Sequence, residues 1–279
     1  MKNLILFLIV ILFTISCKKE EWIPLDKGSG GVPIPVENQL IPLKPQNAFG
    51  INFSGNWCGP CGSSGIPATN NLYNQNPSRF NPMKVTVQDP LTHLEGTQMA
   101  GLFGVTGIPS YVAGVNLIQS NTLWESQINS IIATPPINVQ AAVALSKTKS
   151  GDSILISTKT QFFQTQPLGN YSLAVFVIEN NIPLSQAGQT DPNFKHKWVF
   201  RGSAYSNPSR PTNGLWGVKY ETDTSIVILQ NKTYNHKFVW IKPQGIIPSP
   251  NLDNIQVIAV IFEMGQGQLP IRTINSSRK

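Results

Sequence analysis

Cys58 and Cys61 stand in the run Gly55-Asn56-Trp57-Cys58-Gly59-Pro60-Cys61, and the chain's third cysteine is Cys17. Two cysteines at this spacing can carry thiol–disulfide chemistry if a helix begins at the first of them. The unsatisfied N–H groups and the positive end of the helix dipole then favour the Cys58 thiolate. Cys61 follows one turn later, within bonding reach. Gly59 and Pro60 permit the tight turn and start the helix with a fixed φ. Cys58 thus reads as the nucleophile and Cys61 as the residue that resolves its adduct. The same spacing is half of a zinc site, but no second cysteine pair exists. His93, His196 and His236 are scattered without ligand spacing, so no metal is expected. A purely structural bridge over so short a loop would remove little chain entropy. The redox reading is preferred, with no cofactor beyond the cysteines themselves.

Such a pair needs a strand before it and a helix after it. Ala48 to Ser54 is a weak strand pattern, and Ile66, Ala68, Leu72 and Tyr73 have a partly helical period. Strand, CxxC, helix is the context in which the motif means thiol chemistry. Trp57-Cys58-Gly59-Pro60-Cys61 resembles the thioredoxin active-site motif residue for residue. That resemblance implies a strand at Met83 to Val87, a short helix at Leu94 to Phe103, a strand at Tyr111 to Val115 and a closing helix at Leu123 to Ile132. It also implies a cis-proline loop at Gly104 to Ser110, with Pro109 packed on the disulfide and the Ile108 backbone pairing with substrate. A cis bond is tolerated chiefly before proline. Trp57 is expected to shield the thiols. One position departs from the family, which usually buries an Asp where this chain has Asn52. Asn takes no proton, so resolution by Cys61 should be slower or use water as base.

The N-terminus reads as an address. Met1-Lys2-Asn3 precedes an apolar run from Leu4 to Phe13, which as a helix would rise only about 15 Å, half of a ~30 Å bilayer core. That is a signal peptide, placed at 1–16. Thr14-Ile15-Ser16-Cys17 resembles the lipobox of bacterial lipoproteins, which implies cleavage before Cys17 and its acylation. An ordinary signal peptide with an incidental cysteine is the alternative. Lys18 in place of Asp implies the outer membrane. Lys18-Lys19-Glu20-Glu21 is either a surface-export signal or a solvated charge run, which leaves the cell surface and the periplasmic face both open. Residues 17–46, rich in Pro and Gly after Trp22, read as a lipidated tether.

With 279 residues, 41% of them hydrophobic, the chain can bury a substantial core, which excludes a disordered or polytopic membrane protein. Only 13% are charged, about half of the usual ~25%. The net charge of +7 is scattered rather than striped, so no nucleic-acid partner is expected.

Residues 47–134 form the expected thioredoxin-like α/β domain, and Ala133-Thr134-Pro135-Pro136 marks its end. Beyond it helical periodicity disappears. Val139 to Leu145, Ser153 to Phe163, Tyr171 to Ile178, Thr224 to Leu229, His236 to Ile241, Ile255 to Met264 and Leu269 to Ile274 read as strands. Turns are expected at Lys149 to Asp152 and Gly265 to Gln268. The expected fold is therefore an α/β thioredoxin-like domain followed by an all-β, sandwich-like domain at 138–275. The stretch Ile182 to Tyr220, with Trp198 and Trp216, is a long insertion with a binding role or irregular edge packing.

The whole arrangement resembles the Omp-twenty-eight-related family of outer-membrane lipoproteins, on the lipobox, the WCGPC run, the strand Tyr171 to Glu179 and a strand at His196 to Arg201. The resemblance implies an envelope location and thiol chemistry. The expected partners are disulfide-bearing proteins or peptides, the membrane through the lipid anchor, and an electron donor that the residues do not specify. The alternative is a surface binding or adhesion lipoprotein that uses the thioredoxin-like fold as a scaffold.

Overall fold

A computed structural model describes residues 39–206, 214–223, 225–244, 248–266 and 269–279. The signal peptide, Cys17 and most of the tether lie outside the described residues. From residue 39 onward the chain forms one compact unit. It is mostly β-sheet with few helices.

The N-terminal half runs β1 (Ala48–Ser54), a π-turn (Cys61–Gly65), α1 (Ile66–Gln75), β2 (Phe80–Thr86), α2 (Leu94–Leu102), β3 (Ser110–Ala113), β4 (Asn116–Ile118) and α3 (Asn121–Ile132). β1 pairs parallel with β2 and antiparallel with β3. The second half runs β5 (Ala141–Ser150), β6 (Ser153–Phe162), β7 (Asn170–Glu179), β8 (Val199–Ser203), β9 (Tyr205–Ser206), β10 (Val218–Lys219), β11 (Thr233–Ile241), β12 (Ile255–Met264) and β13 (Pro270–Arg278).

The two halves share a sheet. Its order is β13-β12-β7-β8-β2-β1-β3-β4, with β10 against β7, and a second sheet runs β5-β6-β11-β9. The seam is the parallel pairing of β2 with β8 at Lys84 and Val199, extended by the Lys84 N–H donating to the Trp198 carbonyl at 2.8 Å. Side chains alternate across a strand, and β7 uses both faces. Leu173, Val175 and Val177 enter the core between the two sheets. Ala174, Phe176 and Ile178 enter a second core with Phe49, Ile51, Val85 and Met99. β12 divides in the same way, with Val257, Ala259 and Ile261 on one side and Ile258, Val260 and Phe262 on the other. Strands buried on both faces read as continuous apolar runs, which is why β7 and β12 are plain in the sequence. On the far face of β1, Ala48 and Phe80 pack with Tyr111, Trp124 and Ile128 beneath α1 and α3.

Several expected elements shift. The strand from Tyr111 ends at Ala113, because Gly114 at φ 64° turns the chain into β4. No strand forms at 225–229. Asp223 accepts hydrogen bonds there from the Ser225 amide and hydroxyl at 2.9 and 2.8 Å, a local turn that competes with sheet pairing. The strand expected from His196 begins at Val199 instead, since Trp198 sits at φ 55° and His196 makes only an isolated bridge to Ile182. The turn expected at 265–268 falls partly outside the described residues, and β12 and β13 pair antiparallel around it.

Candidate functional site

Cys58 follows the C-terminal end of β1, and the chain turns into a helix at once. The Cys58 amide donates to the Gly55 carbonyl at 3.1 Å, and the Gly62 amide donates to the Cys58 carbonyl at 3.2 Å. Pro60 caps a π-turn from Cys61 to Gly65, which runs directly into α1. Ser63 and Ser64 donate their hydroxyls back to the carbonyls of Gly59 and Pro60 at 3.1 and 2.8 Å. π-helical segments are rare, occur mostly as single turns and are frequent at functional sites.

Cys58 and Cys61 form a disulfide, with an S–S distance of 2.10 Å and Cα atoms 5.2 Å apart. The Cys61 amide nitrogen lies 3.1 Å from Cys58 Sγ and directs its hydrogen at it. On the other side, Cys58 Sγ is 3.7 Å from the Ile108 carbonyl oxygen. The Ile108–Pro109 bond is cis. Pro109 and the Tyr111 hydroxyl close over Gly65, where a Cβ would lie 3.2 Å from each. Burial raises the Tyr111 phenol to about 12, so it stays protonated. Trp57 is 54% exposed and donates its indole N–H to the Val87 carbonyl at 3.3 Å. Asp89, just after β2, holds the approach loop by accepting the Asn56 amide at 2.8 Å. Cys58, Gly59, Pro60, Cys61, Ile108 and Pro109 are thus brought together, with Trp57 at their edge and Cys17 outside the described residues.

The cover comes from a segment the motif did not reveal. Residues 183–195, between β7 and β8, lie across the CGPC turn as a strap. Gln186 donates its side-chain amide to the carbonyls of Gly55 at 3.0 Å and Cys58 at 3.1 Å. The Ala187 amide donates to the Asn56 carbonyl at 2.7 Å, and Gln189 donates to the Gly62 carbonyl. The approach is backbone against backbone: a Cβ on Gly62 would lie 1.9 Å from the Ala187 oxygen. One on Gly188, itself at φ 81°, would lie 2.1 Å from the Gly59 oxygen. Cys58 is left only 4% exposed and Cys61 is fully buried. Glycines at 62 and 188 were the sequence signal, readable only once the two segments are known to touch.

Behind the helix, Asn52 donates to the Thr69 hydroxyl at 2.9 Å and the Gly65 carbonyl at 3.3 Å, and its Oδ1 has no partner. Across the β1–β2 pair stands Lys84, whose Nζ contacts His196 Nδ1 from the strap's end. Burial lowers the Lys84 pKa to about 7, partly opposed by Asp89. Burial and the Lys84 charge lower His196 to about 3, so the imidazole is neutral and accepts from the amine. Among the described residues no cluster of His, Cys, Asp or Glu could hold a metal.

No protein-family model matches the sequence, and no curated protein does. Among solved structures, the fold is similar to that of HBP35 of Porphyromonas gingivalis at a TM-score of 0.64. The two are 14% identical, and the match covers 86% of this chain and 76% of that one. A protein of Agrobacterium tumefaciens is more distant, at TM-score 0.44 and 13% identity over 83% of this chain and 92% of that one. A domain of the outer membrane lipoprotein Omp28 from Porphyromonas gingivalis gives 0.30 and 14% identity, over 50% of this chain and 87% of that one. What is shared with HBP35 is the fold.

Proposed function

We propose that the chain is an envelope thiol–disulfide oxidoreductase, anchored as a lipoprotein through Cys17 and acting through Cys58 and Cys61. The observation that carries this reading is the Cys61 amide aimed at Cys58 Sγ from 3.1 Å, opposite the Ile108 carbonyl of the cis-proline loop. In the reduced protein that amide is a donor to the Cys58 thiolate, and donors of this kind at a helix start lower a thiol's pKa. Attack by the thiolate breaks the substrate's S–S bond and forms a mixed disulfide, and one substrate sulfur leaves as thiolate. Cys61 then loses its proton and attacks Cys58, which releases the second substrate sulfur. Substrate gains two electrons and two protons, and the cysteine pair becomes the bridge. A dithiol donor must restore it.

The test is reduction of insulin by the full chain with dithiothreitol as donor, alongside Cys58→Ser. Turnover by the wild type and none by the variant is expected. Equal rates would end the oxidoreductase reading.

One observation favours a second reading, a surface binding lipoprotein with this fold as scaffold: the strap leaves Cys58 nearly inaccessible. Alkylation of Cys58 against pH separates the two. A thiol pKa near 7 belongs to the enzyme, and one near the ~8.5 of a free cysteine belongs to the scaffold.

The outer-membrane location rests on the lipobox pattern and Lys18. Fractionation of cells, followed by protease shaving of intact ones, tests it and distinguishes the surface from the periplasmic face. Among the described residues, no helix is long and apolar enough to cross a membrane.

A further inference from the structure

The apolar run Ile226-Val227-Ile228-Leu229 forms no strand and buries only Ile228, which leaves its other three side chains exposed. Four consecutive residues after β6 gather this run with two other segments. Phe163 lies under Lys44, whose Nζ is 5.1 Å from the ring centroid. Gln164 donates its side-chain amide to the Ile137 carbonyl at 3.0 Å. Thr165 Oγ1 accepts the Gln230 amide at 3.1 Å, and the Gln166 amide donates to the Ile228 carbonyl at 2.9 Å. Four residues span no more than about 14 Å, so the segments meet at one place. It is the end of the second sheet where Ala141 faces Phe162 and Thr233 faces Gln161.

The tips around that place are apolar. Ile137 is 82% exposed, Leu168 and Leu229 are 63% exposed, and Ile41 and Leu43 just before Lys44 are 72% and 67% exposed. Apolar residues scattered singly over a surface are ordinary, whereas a group of them marks an interaction surface. The nearby charges balance, Lys44 and Lys232 against Glu221 and Asp223, so the attraction it offers is apolar. What covers it follows from where the chain comes in. The described residues begin at Gln39, and Ile41 to Lys44 lead past this surface into β1. Between Cys17 and Gln39 the chain spans at most about 80 Å. A bilayer that holds the chain there meets this surface at an effective concentration of the order of millimolar.

We propose that this end of the second sheet docks on the surface of a phospholipid bilayer. Ile137, Leu168, Val227 and Leu229 enter the headgroup region, and the binding grows with the apolar area they bury. The proposal rests on attachment of the chain to a membrane upstream of Gln39, as in the lipoprotein reading above. It asks nothing of Cys58 and Cys61.

The full chain, purified in detergent and reconstituted on vesicles of phosphatidylethanolamine and phosphatidylglycerol with brominated acyl chains, tests the assignment. Two reporters are compared after subtraction of the wild-type tryptophan emission. Leu229→Trp lies in the surface, and Ile241→Trp lies at the other end of β11, also exposed and roughly 27 Å along the strand. Bromine should at least about halve the Leu229→Trp emission, since docked side chains lie roughly 5–10 Å into the headgroup–acyl boundary. The Ile241→Trp emission should not change. Adding Leu168→Asp and Val227→Asp should remove the quenching while the protein still floats with the vesicles. If that variant does not fold, the two reporters still decide. Equal quenching of both reporters, quenching that survives the aspartates, or a chain that does not float overturns the proposal. So does an unquenched Leu229→Trp, which in a dimeric chain gives the surface to a second copy. Intact mass reports acylation of Cys17 separately. An unacylated chain that floats and is quenched overturns the lipid anchor and supports the docking surface.

Discussion

Gln186 donates its side-chain amide to the Cys58 carbonyl at 3.1 Å, from a segment far away in the chain. The same nitrogen also reaches the Gly55 carbonyl. This one side chain ties the strap to both ends of the loop that carries the nucleophile. Access to Cys58 is therefore set by a part of the chain that contributes no chemistry of its own.

Removing that tie should open the site. Gln186→Ala removes one of the two donors to each of these carbonyls, which keep the Cys58 and Gly62 amides, so the loss should be about 0.5–1.5 kcal/mol. The reduced variant should alkylate faster at Cys58 at fixed pH, while the thiol pKa stays where it was. An unchanged alkylation rate would mean that the strap does not limit access.

Gly62 should tolerate no side chain. A Cβ there would meet the Ala187 oxygen at 1.9 Å, so Gly62→Ala must push the strap off or distort the π-turn. A destabilisation of roughly 2–4 kcal/mol is expected, in the range of steric clashes in packed interiors. Gly59→Ala is the control, because a Cβ on Gly59 meets nothing within 4 Å. Denaturant midpoints of the two variants should differ clearly.

Lys84 gives the fold a pH dependence of definite sign. Its folded pKa of about 7 lies below the 10.5 of an exposed lysine. Between those values the unfolded chain holds the proton and the folded chain has released it. Stability contributed by this group therefore rises as pH increases through that window. Below pH 7 the native state carries a buried ammonium. Lys84→Met should raise stability at pH 6 by roughly 1–3 kcal/mol, as for buried charges replaced by apolar groups. The gain should shrink towards pH 9. Thermal midpoints across that range check it, and a gain that grows with pH would contradict it.

Much of the site was legible because its residues are contiguous. Trp57 to Cys61 announce the motif, and Ile108–Pro109 is the kind of dipeptide that can be cis. β7 and β12 were legible from their apolar runs. The shared sheet was not. Its seam at Lys84 and Val199 joins residues with no local pattern in common, and a lysine in a strand reads as solvent-facing until its burial is known. The strap was hidden for a similar reason. Gln186, Gly188 and Gln189 look like ordinary polar loop residues, and their role lies in the carbonyls they meet. Asn52 was noticed for the proton it cannot take. Its position beside Lys84 and His196 needed the fold. Thr224 to Leu229 misled, since its β-branched residues suit a strand while Asp223 captures the backbone first.

If Cys58 exchanges disulfides, its mixed disulfide can be trapped. Reduced Cys61→Ser protein keeps the nucleophile and lacks the residue that would release the adduct. Mixed with a disulfide-bonded peptide, it should gain the mass of one peptide thiol in intact-mass measurement, removable by dithiothreitol. Cys58→Ser should gain none. No adduct on Cys61→Ser, or the same adduct on both variants, would show that Cys58 is not the exchanging thiol.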